Sequence, residues 1–166
     1  MEAYQCLPEG TLAELIDNVI YMSPSPTSKH QIILNEINFH LIQYFKSTRE
    51  GMTYIAPLDV YLDESSNAVQ PDIIVILNPN QKIVNEEGHI HGVPDMLIEI
   101  LSPGNKDHDL IRKKDLYERF KVKEYWIVDP DSKLTLGYVL SKDKYQLVHE
   151  EVGRFASQLI DFEFNF

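Results

Sequence analysis

The chain predicts an α/β or α+β fold, with a single mixed sheet flanked by helices. Three observations carry this. The runs DIIVIL at 72–77 and MLIEIL at 96–101 are apolar almost throughout, as expected of strands covered on both faces. Two segments, about 29–47 and 107–120, repeat apolar residues at helical spacing. The elements then read hairpin, helix, three strands, helix, strand, hairpin.

Each element has a local reason. Residues 13–22 hold two short apolar runs around Asp17-Asn18, a pair that tolerates the left-handed turn of a hairpin. Ser23-Pro24-Ser25-Pro26 breaks the pattern. Thr27 or Ser28 caps the first helix, whose Ile33, Ile37, Leu41 and Tyr44 share a face, and Gly51 ends it. Residues 54–62 are β-rich, with Pro57 marking an edge or irregular start. The stretch 78–95 reads as a polar loop containing Pro79, Gly88, Gly92 and Pro94. After the second helix, 124–129 is strand-like, and 133–140 with 144–150 reads as a hairpin turning at 141–143.

The chain has 166 residues, 43% of them apolar and 25% charged, which predicts one domain with its core at about 13–150. No uncharged stretch is long enough to span a bilayer. The first residues carry early acids and no apolar run, so no signal peptide is expected and the expected location is the cytoplasm. Cys6 is the single cysteine, which excludes an intramolecular disulfide and a multi-cysteine metal site. Net charge is −11, which repels nucleic acid overall. The cations are clustered, however. Seven of the fifteen lie between Lys106 and Lys123 against four acids, so this stretch is +3 and the remainder −14.

Three residues resist a pure core reading. Glu99 sits inside MLIEIL, where a carboxylate is costly unless paired or bound to a cation. Asp72 opens the other apolar run, directly after Pro71. On a wheel of 100° per residue, Lys113 falls at the centre of the apolar arc of Leu110, Leu116, Tyr117 and Phe120, with Asp109 also on the inner side. Two carboxylates on adjacent strands can hold a hard divalent cation. A lysine beside them can offset charge on a phosphorane-like transition state. This is the constellation expected for phosphodiester hydrolysis.

Gln70-Pro71-Asp72, Glu99-Ile100-Leu101-Ser102-Pro103, Lys113 four residues before Tyr117, and Glu124-Tyr125-Trp126-Ile127-Val128-Asp129-Pro130 together resemble the Uma-type restriction endonucleases. That family is a bacterial branch of the PD-(D/E)XK nuclease superfamily. Leu15-Ile16-Asp17-Asn18, Met22-Ser23-Pro24 and Ala56-Pro57-Leu58-Asp59-Val60 extend the resemblance to about 13–150. It implies a restriction-endonuclease-like mixed central sheet with an α-β-β-β-α-β core, an N-terminal and a C-terminal hairpin. It implies Mg²⁺ or Mn²⁺ on Asp72 and Glu99, with DNA as substrate. The superfamily lysine normally stands two residues after the Glu, where this chain has Leu101. The family places it on the following helix, and Lys113 occupies that place. The resemblance also suggests Glu36 as an additional metal ligand, by analogy with an acid on the superfamily's first helix. Lys114, Arg119 and Lys121 are the expected phosphate contacts, and a homodimer is expected by analogy with duplex-cutting relatives.

Two rivals stay open at this point. One is a catalytically inactive binding or assembly module of the same fold, which Leu101 and the acidic charge favour. The other is a metal-dependent hydrolase of a small phosphate compound. His89-Ile90-His91 lacks a third ligand at metal-site spacing and reads as a loop feature. Tyr125 and Trp126 read as core rather than as a base-stacking platform.

Overall fold

The computed structural model describes residues 1–8, 10–102 and 108–166, apart from the side chain of Asp109. In chain order the elements are α1 (Glu2–Gln5), β1 (Ala13–Ile16), β2 (Val19–Met22), α2 (Ser28–Thr48), β3 (Gly51–Ile55), β4 (Val60–Tyr61), β5 (Ala68–Val69), β6 (Ile73–Leu77), a 3₁₀-helix (Asn78–Ile83), β7 (Ile90–His91), β8 (Met96–Ile100), a π-helix (His108–Lys113) continuing into α3 (Lys114–Arg119), β9 (Glu124–Val128), β10 (Leu134–Ser141), β11 (Lys144–Val152), β12 (Arg154–Ser157) and β13 (Phe162–Asn165). The fold is mixed α+β. No helix among the described residues is long and apolar enough to cross a membrane.

The expected single sheet is instead divided. A six-stranded sheet runs β11-β10-β9-β8-β6-β3, a five-stranded one β2-β1-β5-β4-β7, and β12-β13 form a third. The division falls inside the run read as one strand, 54–62. β3 pairs with β6, and β4 pairs with β5 and β7 in the other sheet. Pro57 lies between them and has no N–H to continue a ladder. The loop expected at 78–95 carries the 3₁₀-helix and β7, and the second helix is half π. The β12–β13 hairpin follows the last element the sequence pattern showed.

The first helix is held as its sequence suggests. The Thr27 side chain accepts a hydrogen bond from the His30 N–H at 3.3 Å, an N-cap of about 1 kcal/mol. Its inner face lays Ile33, Leu34, Ile37, Leu41 and Phe45 on one side of the large sheet, beside Ile73, Val75, Met96, Ile98 and Ile100. The C-terminal hairpin completes that layer with Phe155. Glu124 is also buried there, but it accepts hydrogen bonds from Trp126 Nε1, Ser157 Oγ and the Leu159 N–H. This carboxylate ties the hairpin to β9. The opposite face carries Ile74, Ile76, Leu97 and Leu101, packed under Leu116 and Tyr117 of α3. Tyr125 and Trp126 are both buried, as expected of core.

Candidate active site

β6 and β8 are antiparallel neighbours, with Ile73 opposite Ile98 and Ile74 opposite Leu97. One step further along this register, Asp72 stands opposite Glu99. Alternation then sends Glu99 to the side of Leu97 and Leu101, the side that the π-helix and α3 cover. Both carboxylates line a cavity of about 340 Å³ whose walls include Pro24, Pro26, Pro57, His30, Gln70 and Ser102.

Lys113 enters the same cavity from the helix side. It is only 4% exposed, and its Nζ lies 2.8 Å from Glu99 Oε1 and 2.8 Å from Glu14 Oε1. Tyr117 donates a second hydrogen bond to Glu99 Oε1 at 2.9 Å. Asp72 Oδ2 accepts from the Ile100 N–H at 2.7 Å and faces His30 Nε2 at 3.1 Å. The expected trio of Asp72, Glu99 and Lys113 is thus gathered at one cavity.

Glu36 is not. It is half-exposed on α2, its carboxylate 3.8 Å from Lys133, and it is absent from the cavity wall. The third acid at the cavity is Glu14 of β1, 3% exposed. Its Oε1 also accepts from the Gln70 N–H at 2.9 Å, and its Oε2 lies 3.0 Å from His108 Nε2. Burial pushes the Glu14 carboxyl up. The Lys113 charge and the hydrogen bonds from His108, Lys113 and Gln70 outweigh it and hold the group at about 2.

Sequence reasoning passed over Glu14, His30 and His108. Glu14 carries the same signal as Glu99, a carboxylate flanked by apolar residues in Ala13-Glu14-Leu15-Ile16. His30 shares the inner face of α2 with Ile33, Leu34 and Ile37. His108 escaped because a wheel of 100° per residue does not apply to a π-helix.

The expected phosphate contacts lie elsewhere. Arg119 binds Asp17 through Nη2 at 2.9 Å, Lys121 lies 3.0 Å from Asp143, and Lys114 Nζ sits 4.7 Å from the centre of the Tyr138 ring. None of the three lines the cavity. Lys106 and Asp107, also in the basic stretch, Pro103 of the motif and the side chain of Asp109 lie outside the described residues. His91 pairs with Glu64 at 2.8 Å and stacks on Tyr61.

The donor set fits a hard divalent ion of the Mg²⁺ kind. Among the described residues no three His, Cys, Asp or Glu side chains form a ready-made cage. Mg²⁺, however, is commonly held by one or two carboxylates, with waters and substrate phosphate completing the shell. Two carboxylates from adjacent strands line one cavity here. Three carboxylates against one ammonium leave a formal −2 at the described cavity wall, the charge a divalent cation balances.

No curated protein matches the chain. A crystal structure from Anabaena variabilis, described as a putative nuclease belonging to DUF820, superposes with a TM-score of 0.77 at 21% identity, covering 99% of this chain and 93% of that one. This shows a shared fold. The family model described as "Uma2: Putative restriction endonuclease" matches residues 1–163. The chain therefore belongs to the Uma2 family.

Proposed function

We infer that the chain is a divalent-metal-dependent endonuclease that hydrolyses DNA phosphodiester bonds, acting in the cytoplasm as a homodimer. Asp72 and Glu99 would hold Mg²⁺ or Mn²⁺. That ion, when bound, supplies Lewis-acid polarisation of the phosphate and lowers the pKa of water. The observation that carries the reading is the buried Lys113 ammonium, 2.8 Å from Glu99 in the cavity that Asp72 also lines. An ammonium between two carboxylates keeps its proton, so its role is electrostatic. It offsets negative charge that develops on the phosphoryl oxygens as the transition state forms. The Ile100 N–H and His30 orient Asp72, and Tyr117 orients Glu99. A lysine carried by the following helix thus serves in place of residue 101.

Lys114, Arg119 and Lys121 are the proposed contacts to the DNA backbone. Arg119 and Lys121 must exchange Asp17 and Asp143 for phosphate, so each contributes only the difference between the two partners. The test is a Mn²⁺ titration by calorimetry paired with plasmid nicking. Saturable binding together with Mg²⁺- or Mn²⁺-dependent nicking is expected. A folded protein that neither binds metal nor nicks DNA would overturn the reading in favour of an inactive module, the alternative that Leu101 supports.

A further inference from the structure

A lysine borne on a helix reaches Glu99 from above, and such an approach needs an anchor that a lysine on the strand itself would not. The anchor is visible on the N-terminal hairpin. His108 and Lys113 are the first and last residues of the π-helix. Five residues make one hydrogen-bonded turn of a π-helix, so the two side chains stack on one face. Both reach Glu14. Lys113 Nζ meets Oε1 at 2.8 Å and His108 Nε2 meets Oε2 at 3.0 Å.

The other side of His108 is fixed as well. Arg112 Nη1 donates to His108 Nδ1 at 2.9 Å. A guanidinium cannot accept a proton, so Nδ1 is the acceptor and the imidazole carries its proton on Nε2, facing Glu14. Arg112 itself lies 4.4 Å from the centre of the Tyr21 ring, a cation–π contact. Tyr21 is the direct cross-strand partner of Glu14 in the hairpin. One pair of facing hairpin residues therefore grips both the functional lysine and the arginine beside it.

Glu14 is unsuited to the two other roles an active-site carboxylate could take. Its oxygens are already engaged by an ammonium, an imidazole and a backbone N–H, which leaves it poorly placed to ligate metal. A carboxylate held this strongly in its ionised form is a weak base.

We propose that Glu14, locked by His108 and Arg112, is a positioning residue that clamps the Lys113 ammonium over Glu99, so that the N-terminal hairpin completes the active site. The catalytic part of this rests on the nuclease reading above; the clamp itself does not.

The experiment is a cycle of Glu14→Gln, Lys113→Met and the double variant in the full chain. It is read by nicking kinetics, Mn²⁺ calorimetry and thermal unfolding. Glu14→Gln should lower kcat about tenfold or more, with KM for DNA within twofold and Mn²⁺ affinity within threefold of the parent. Added to Lys113→Met, it should cost less than a further twofold, because Glu14 acts through the lysine. Parental kcat in Glu14→Gln, a tenfold loss of Mn²⁺ affinity, or full additivity of the two losses would each overturn the proposal. The Mn²⁺ result would make Glu14 a metal ligand instead. Should Glu14→Gln not fold, His108→Gln slackens the same clamp from outside and should lower kcat severalfold at constant Mn²⁺ affinity; a parental kcat there overturns the proposal. Should the parent neither bind metal nor nick, the nuclease reading falls, and the clamp is judged by unfolding alone. The double variant should then melt above Lys113→Met, because one uncompensated buried anion is removed. A double variant that melts lower refutes the clamp.

Discussion

Replacing Lys113 with Met should invert the way stability responds to acid. The side chain is the shared cationic partner of two carboxylates, Glu14 and Glu99, each only 3% exposed. Methionine keeps most of the stem's packing and removes the charge. Leaving buried anions without their partner costs about 3–5 kcal/mol, a large share of the 5–15 kcal/mol typical of a domain. In the parent, Glu14 is held at about 2 against an ordinary 4.5. This depression stabilises the folded state at neutral pH. Because the folded pKa is the lower one, that stability is complete above pH 4.5 and is lost as pH falls towards 2. Without Lys113, burial, already the largest single influence on Glu14, loses its strongest opponent and pushes the pKa up against the hydrogen bonds from His108 and the Gln70 N–H. Protonation then favours the folded state. Urea unfolding at pH 7, 6 and 5 reads this out, using fluorescence of the single, buried Trp126. The parent should change little over that range, whereas Lys113→Met should start several kcal/mol lower and gain stability towards pH 5. A Lys113→Met protein as stable as the parent at pH 7, or one that weakens towards pH 5, would refute the buried ion-pair argument.

Other outcomes follow from the same geometry. Asp72→Asn retains an oxygen to accept from the Ile100 N–H, which Asp72→Ala would orphan. It should fold and bind Mn²⁺ at least tenfold more weakly by calorimetry; unchanged affinity removes Asp72 from the metal. Replacing Lys114, Arg119 and Lys121 together with Gln should weaken DNA binding evenly across sequences. It should also make the slope of log K against log salt shallower by about 2 to 3; an unchanged slope rules out phosphate contacts there. Gly137→Ala would put a Cβ 2.5 Å from two ring carbons of Trp126. Such overpacking should lower stability by about 1–3 kcal/mol, and an unshifted urea midpoint would count against this packing.

How much of this the sequence reveals depends on whether a residue's surroundings are local. Glu99 was legible because MLIEIL is apolar on both sides of it, so burial follows from the strand alone. Glu14 has similar neighbours, yet it belongs to a hairpin strand, where one polar face is ordinarily solvated. Its burial comes from β5 on one side and from the distant π-helix, 94 residues away at His108, and nothing near residue 14 announces either. Lys113 was legible by a partly fortunate route. The wheel assumed α-helical phase, while His108–Lys113 is π. Lys113 is the last residue of that segment and adjoins α3, so its phase relative to Leu116 and Tyr117 survived. The phase of His108 did not. Two-residue strands such as β4, β5 and β7 are too short to show any period, so the division into two sheets had no sequence signal except Pro57.

Position 101 lies on the same side of the strand as Glu99, and Leu101 is buried there with Leu97, Leu116 and Tyr117. A lysine at 101 would have to place its charge at the edge of that apolar layer. The chain instead fills 101 with a core residue and brings the ammonium in from the helix that covers the same face. The charge therefore arrives on the side of the sheet where residue 101 would have delivered it, 2.8 Å from Glu99. A displaced lysine of this kind gains a requirement in return. A strand residue inherits its position from the ladder, but a helix residue at a π-to-α junction must be held from outside. In this chain the holding group comes from β1. The N-terminal hairpin and the π-turn are then parts of one solution, and a chain with the helix lysine but no acid at the position of Glu14 would leave that ammonium anchored on one side only.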